Sequence, residues 1–131
     1  MTPPESTSAR PVAVLAHNVL SWMSLVEARN TARGLREALS SGRALSITDL
    51  TEDLVQPMSK LTPLCEEAGI AYQPRSQGHI EALLGGWPLL QPGLVPTGIC
   101  SPRLEKCEAP GDHSGAFAGV AVKPVRPTAR V

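Results

Sequence analysis

The sequence predicts a mainly α-helical domain with a small β-hairpin, built as a helix–turn–helix followed by a β-wing. Three observations predict it. Apolar residues recur at helical spacing from Val12 to Leu39. Two short amphipathic segments flank a tight turn at Gln56-Pro57, and the second ends at Gly69. A turn with Pro74 and Gly78 then separates two short runs, Ile70-Ala71-Tyr72 and His79 to Leu83.

A chain of 131 residues is one domain's worth. Residues 1–10 are rich in Pro, Ser and Thr and read as a disordered lead-in. Residues 11–84 form the domain. Residues 85–131 hold seven Gly and seven Pro and read as a weakly structured tail.

The elements follow in order. Val12, Leu15, Val19, Trp22 and Val26 alternate at three and four spacing, which places them on one stripe of a first helix. Leu25, Ala28, Ala32, Leu35 and Leu39 continue as a second stripe, with a break expected at Asn30-Thr31 and a close at Ser40-Ser41-Gly42. Ser46-x-x-Asp49 reads as a capping box, with Ile47, Leu50 and Leu54 on the apolar face of the helix that follows. Pro57 starts the next helix, residues 57–68. There Met58, Leu61, Leu64, Cys65 and Ala68 share one side, and Gly69 takes the left-handed cap position. Pro63 inside it removes a bond to the Ser59 carbonyl, at a cost of about 3 kcal/mol in a helix interior.

A recognition helix needs short polar and basic groups near its N-terminus to reach base edges in the major groove. Gln56, Ser59, Lys60 and Thr62 stand there, with Arg75 on the wing of residues 70–83. These five are the candidate DNA-binding residues, Lys60 and Arg75 for phosphate, Ser59 and Thr62 for phosphate or base. Without DNA they read as solvated polar positions of a structural helix pair. Charge favours that second reading, since residues 1–84 carry seven basic and nine acidic side chains.

The segments TARGLREALSSGRALSITDL and SKLTPLCEEAGI, followed by the RSQG turn, resemble the winged helix–turn–helix repressors of the ArsR and MarR types over roughly residues 32–83. The register to that family's recognition helix holds without a gap from Ser59 to Gly69. The resemblance implies a repressor-type transcriptional regulator that binds duplex DNA as a homodimer. Because Pro88, Pro92 and Pro96 preclude a long helix after the wing, the dimer is expected through the N-terminal helix. The alternative is a non-enzymatic adaptor that uses the same shape to bind protein.

No enzyme is expected: the chain holds no P-loop, H-E-x-x-H, G-x-S-x-G or G-x-G-x-x-G. Neither catalytic residues nor a cofactor are assigned. Cys100, Cys107 and His113 lack the spacing of a zinc site, so no metal is assigned. Cys65 lies on an apolar stripe and reads as a core residue. Gly111-Asp112-His113-Ser114 is similar to a metal-ligand segment of arginase-like ureohydrolases but lacks that family's later ligands. An odd cysteine count, no signal-peptide pattern and no membrane-length apolar run make a cytoplasmic location the expectation.

Overall fold

The computed structural model describes residues 11–97 and 114–125. Its first element is a strand, β1 (Ala13–His17), where a helix was expected. The run Val12 to Ala16 is apolar and compact enough for either geometry, and its pairing partner decides between them. That partner is β2 (Ala44–Leu50), parallel to β1 with Ala13 opposite Ala44 and His17 opposite Thr48. Parallel neighbours need a crossover, which here is helix α1 (Leu25–Ala38). A short 3₁₀ turn, Leu20–Trp22, leads into it.

Helix α1 begins where Ser24 accepts a hydrogen bond from the Glu27 N–H, and Glu27 favours the positive end of the dipole. The helix runs unbroken through Asn30 and Thr31, correcting the expected break. Its second stripe is the true one: Ala28, Ala32 and Leu39 are buried, and Leu35 packs against them. The first stripe is not a core face. Val12, Leu15, Val19, Trp22 and Val26 are all exposed, Leu15 by 66% and Val26 by 67%.

Strand β2 replaces the expected first helix of the helix–turn–helix. Leu45, Ile47 and Asp49 alternate inward with a period of two, so Ser46 and Asp49 are on opposite faces and form no capping box. After it come a 3₁₀ turn, Gln56–Lys60, and helix α2 (Leu61–Glu67). Pro63 is the third residue of α2, so its missing N–H falls in the first turn and interrupts no bond. Gly69 does end this segment, at φ +70°, a backbone value that side chains disfavour.

There is no wing. Residues 70–75 run without strand pairing, and α3 (Gln77–Leu83) stands where a returning strand was expected. Ser76 caps α3 by accepting the His79 N–H, and Ile80 and Leu83 turn inward. Within the supposed tail, β3 (Val95–Pro96) and β4 (Ala116–Val122) complete the sheet in the order β1-β2-β4-β3. Strand β4 is antiparallel to both its neighbours. Among the described residues the fold is therefore a mixed four-stranded sheet with three α-helices, not a mainly α winged helix.

One face of the sheet holds the core. Leu45, Ile47, Phe117 and Ala121 meet Ala28 and Ala32 of α1, Ile80 and Leu83 of α3, and Leu20. The opposite face bears Leu15, His17, Ser46, Thr48, Ala118 and Val120, none of them buried. Among the described residues no helix is long and apolar enough to cross a membrane.

Two caps separate this fold from the winged helix. Ser24→Ala and Ser76→Ala should each cost ~1 kcal/mol, since each leaves a first-turn N–H unpaired. Ser59→Ala should change stability by less than about 0.5 kcal/mol, because its hydroxyl donates only to the exposed Gln56 carbonyl. Urea denaturation of the three variants measures all three values.

Candidate functional site

In open sheets with parallel strands, ligands gather outside the carboxyl ends of those strands. Here those ends are His17 of β1 and Leu50 of β2. The chain turns sharply just past His17. Asn18 adopts φ +57°, and its N–H donates to the Thr48 carbonyl at 2.7 Å. Asparagine is among the few residues with a side chain that tolerate this region, and such backbone clusters at functional sites. The His17 imidazole sits beside it, with Nε2 3.0 Å from the Ser46 hydroxyl.

Beneath these ends lies a buried polar network. Arg75 donates to the carbonyls of Leu20 at 2.7 Å and Met23 at 2.8 Å, and lies 3.4 Å from the Asp49 carboxylate. Ser21 donates to the other Asp49 oxygen and accepts the Leu50 N–H at 3.0 Å. Backbone bonds from Gln73 N–H to Ser21 and from Arg75 N–H to Leu50 close the loop. Burial pushes the Asp49 carboxyl above the ordinary carboxylate range, and the Ser21 and Arg75 contacts pull it only partly back. At 3.4 Å the ion pair is long for a charge-assisted bond, so the guanidinium serves chiefly as a clamp on the two carbonyls.

Two further features border the ends. On the open face a crevice of about 360 Å³ has His17, Ser46, Thr48, Ala118 and Val120 as its floor and the 90–97 segment as its wall. His17 is the one imidazole or carboxylate among its lining residues. In the loop after β1, the exposed Trp22 ring lies 5.4 Å from the ring of Tyr72. Tyr72 is buried, and its hydroxyl has no hydrogen-bond partner among the described residues. Burial, then the nearby charges of Glu52, Cys65 and Asp49, pushes this phenol up to about 12.

The five expected DNA-binding residues do not gather on one basic face. Arg75 is only 3% exposed, and its guanidinium is committed to Leu20, Met23 and Asp49. Thr62 donates to Glu52. Gln56, Ser59 and Lys60 are exposed on the 3₁₀ turn. Cys65 is buried, at 7% exposure. Among the described residues no three His, Cys, Asp or Glu side chains converge as a metal site requires. Cys100, Cys107 and the 111–113 segment lie outside the described residues. The side chains that do gather are Ser21, Asp49 and Arg75, of which Arg75 alone is among the expected site residues. The alternation of Leu45, Ile47 and Asp49 was the available signal for β2.

A family model described as S-adenosyl methyltransferase matches residues 8–124. Two solved structures share the fold. A DUF574 family protein from Streptomyces avermitilis is 22% identical, with a TM-score of 0.72 over 89% of this chain and 46% of that one. A protein from Thermobifida fusca, assigned as a methyltransferase, is 25% identical, with a TM-score of 0.75 over 90% of this chain and 45% of that one. The chain thus spans less than half the length of either neighbour. No curated protein sequence matches it.

These findings overturn the resemblance to ArsR and MarR repressors, and with it the reading as a DNA-binding regulator. The adaptor alternative and the expectation of no enzyme fall with it. Duplex DNA is no longer an expected partner. The proposed homodimer loses its basis too, since residues 12–26 hold a strand and a turn, not a dimerising helix.

Arg75→Ala should destabilise the fold by about 3–5 kcal/mol, because it leaves the buried Asp49 carboxylate without its counter-charge and strips the Leu20 and Met23 carbonyls of their side-chain donor. Arg75→Lys should recover little, as one ammonium cannot reach three acceptors in a fixed plane. Chemical denaturation checks both. For Tyr72 the sign is that of a raised pKa: the folded state keeps the phenol proton, so its contribution holds below pH ~10 and is lost as pH rises through about 12. Tyr72→Phe should remove that alkaline loss and leave stability at neutral pH unchanged, read by thermal unfolding across pH.

Proposed function

The chain belongs to the S-adenosyl methyltransferase family, and on that premise we propose that it carries part of a methyl-transfer site at the carboxyl ends of β1 and β2. The observation that carries this reading is the family match over residues 8–124, which includes both parallel strands and the loops that follow them. S-adenosylmethionine, when bound, supplies a methyl group on a sulfonium, which passes to a nucleophile and leaves a neutral thioether.

The residues present fit such a group. The exposed Trp22 ring offers a π face, which attracts a cation such as a sulfonium. The Tyr72 hydroxyl is a buried polar atom with hydrogen-bonding capacity to spare. Asn18, at φ +57°, turns the chain at the end of β1. His17 has the chemistry to take a proton from the acceptor: its imidazole is exposed and oriented by Ser46. The network of Ser21, Asp49 and Arg75 holds the post-β1 loop in place and touches no ligand in this proposal. A cytoplasmic location belongs to the same reading, supported by three cysteines without paired spacing.

Addition of S-adenosylhomocysteine to the isotopically labelled protein tests the assignment by amide chemical shifts. Residues 17–22 and Tyr72 should move on titration to millimolar ligand, while α2 should not. Trp22→Ala should abolish the response. A protein whose shifts stay fixed, or move only at α2, would sink the proposal.

A further inference from the structure

Helix α1 presents two faces. Ala28, Ala32 and Leu39 go to the core. Arg29, Arg33 and Arg36 follow one another at offsets of four and three, so they share a second face beside it. All three line a groove of about 280 Å³ between α1 and the end of α3, together with Asn30, Ala82 and Leu83. No carboxylate is among those lining residues. Glu37 and Glu81, on the same two helices, are exposed and lie outside the groove. Among the described residues none of the three arginines is paired with an acid. Like charges at this spacing weaken a helix, so folding by itself gives no reason to align them.

Two of the three side chains are already held in place. Arg33 donates to the Asn30 side-chain oxygen at 2.7 Å. Arg36 donates to the Leu83 carbonyl. Its guanidinium also occupies the space that a side chain on Gly85 would need, and Gly85 adopts φ +67°. Capping the last turn of α3 explains one N–H of Arg36. It explains neither Arg29 nor Arg33. Each guanidinium has five N–H donors, so most of the donors in the groove have no acceptor among the described residues. Forks fixed in this way lose less entropy when they take an anion.

We infer that the groove between α1 and α3 binds a diphosphate group. Guanidinium forks pair bidentately with phosphate oxygens, and three cations exceed what one carboxylate balances. From Arg29 to Arg36 the helix advances roughly 10 Å, longer than one phosphate and suited to two linked ones. The groove is walled on one side by α3 and has no aromatic ring in its lining for a base to stack on, which favours a small ligand over a nucleic-acid strand. Free diphosphate and a nucleoside diphosphate present the same group. The site is separate from the methyl-transfer reading, since His17, Trp22 and Tyr72 do not line it.

Isothermal titration calorimetry of the full chain with inorganic pyrophosphate is the test. Binding should be one-to-one with a Kd below about 1 mM at low salt. It should weaken several-fold as sodium chloride rises from about 20 to about 200 mM. Arg29→Gln and Arg33→Gln should each weaken it roughly tenfold. Both side chains lie outside the core, so both variants should fold. Lys60→Gln removes the same charge from the exposed turn before α2 and should leave the affinity unchanged. Adenosine diphosphate that binds tighter than pyrophosphate would assign the group to a larger ligand, and equal or weaker binding to the free anion. No saturable heat up to about 10 mM pyrophosphate would overturn the inference. So would binding that survives both arginine substitutions, or a single-stranded oligonucleotide that binds tighter than either diphosphate.

Discussion

The structure depends on how Arg75 is buried. Its guanidinium reaches back across the sequence to the carbonyls of Leu20 and Met23 and to Asp49, and its own N–H bonds Leu50. Three segments that share no regular hydrogen-bond ladder are thereby joined: the loop after β1, the end of β2 and the stretch leading into α3. A buried cation costs several kcal/mol to desolvate, so it persists only where acceptors surround it. Asp49 supplies the compensating charge, and Ser21 orders it by donating to the carboxylate while accepting from Leu50. The positions of Asn18 and Trp22 follow from that clamp, because the turn they occupy is pinned at Leu20, Ser21 and Met23.

The sheet above the clamp is unequal in its two faces. Ala28 and Ala32 let α1 approach closely, and α3 adds Ile80 and Leu83, so one face is filled. The other is a shallow crevice of small and polar residues edged by apolar ones. The carboxyl ends of the parallel pair carry a strained turn, an oriented imidazole and an aromatic pair with one unsatisfied hydroxyl.

Some of this was legible in the residues. The stripe of Leu25, Ala28, Ala32, Leu35 and Leu39 identifies α1, because tertiary packing and helical period agree there. Gly69 marks a helix end because only its backbone accepts φ +70° without strain. Other signals pointed two ways. Val12, Leu15, Val19, Trp22 and Val26 have helical spacing, but their exposure shows that the spacing records no helix face. Ser46 and Asp49 match a capping box, yet the same residues alternate across a strand. Density of Gly and Pro hid AFAGVAV, the apolar run of residues 116–122 that forms an interior strand. Arg75 resembled a wing contact because a sequence displays its charge and not its burial.

What the sequence determined by itself was local: the second apolar stripe and the glycine that closes α2. Those features depend on backbone geometry and neighbours within a turn or two. What the tertiary structure decided was pairing. Whether Ala13–His17 and Ala44–Leu50 are strands depends on each other and on β4, some seventy residues further on. Whether Arg75 binds a phosphate or a carboxylate depends on the 26 residues that separate it from Asp49 folding back upon themselves. Non-local contacts of this kind leave no period in the chain, because the groups that satisfy them are close only once the sheet has formed.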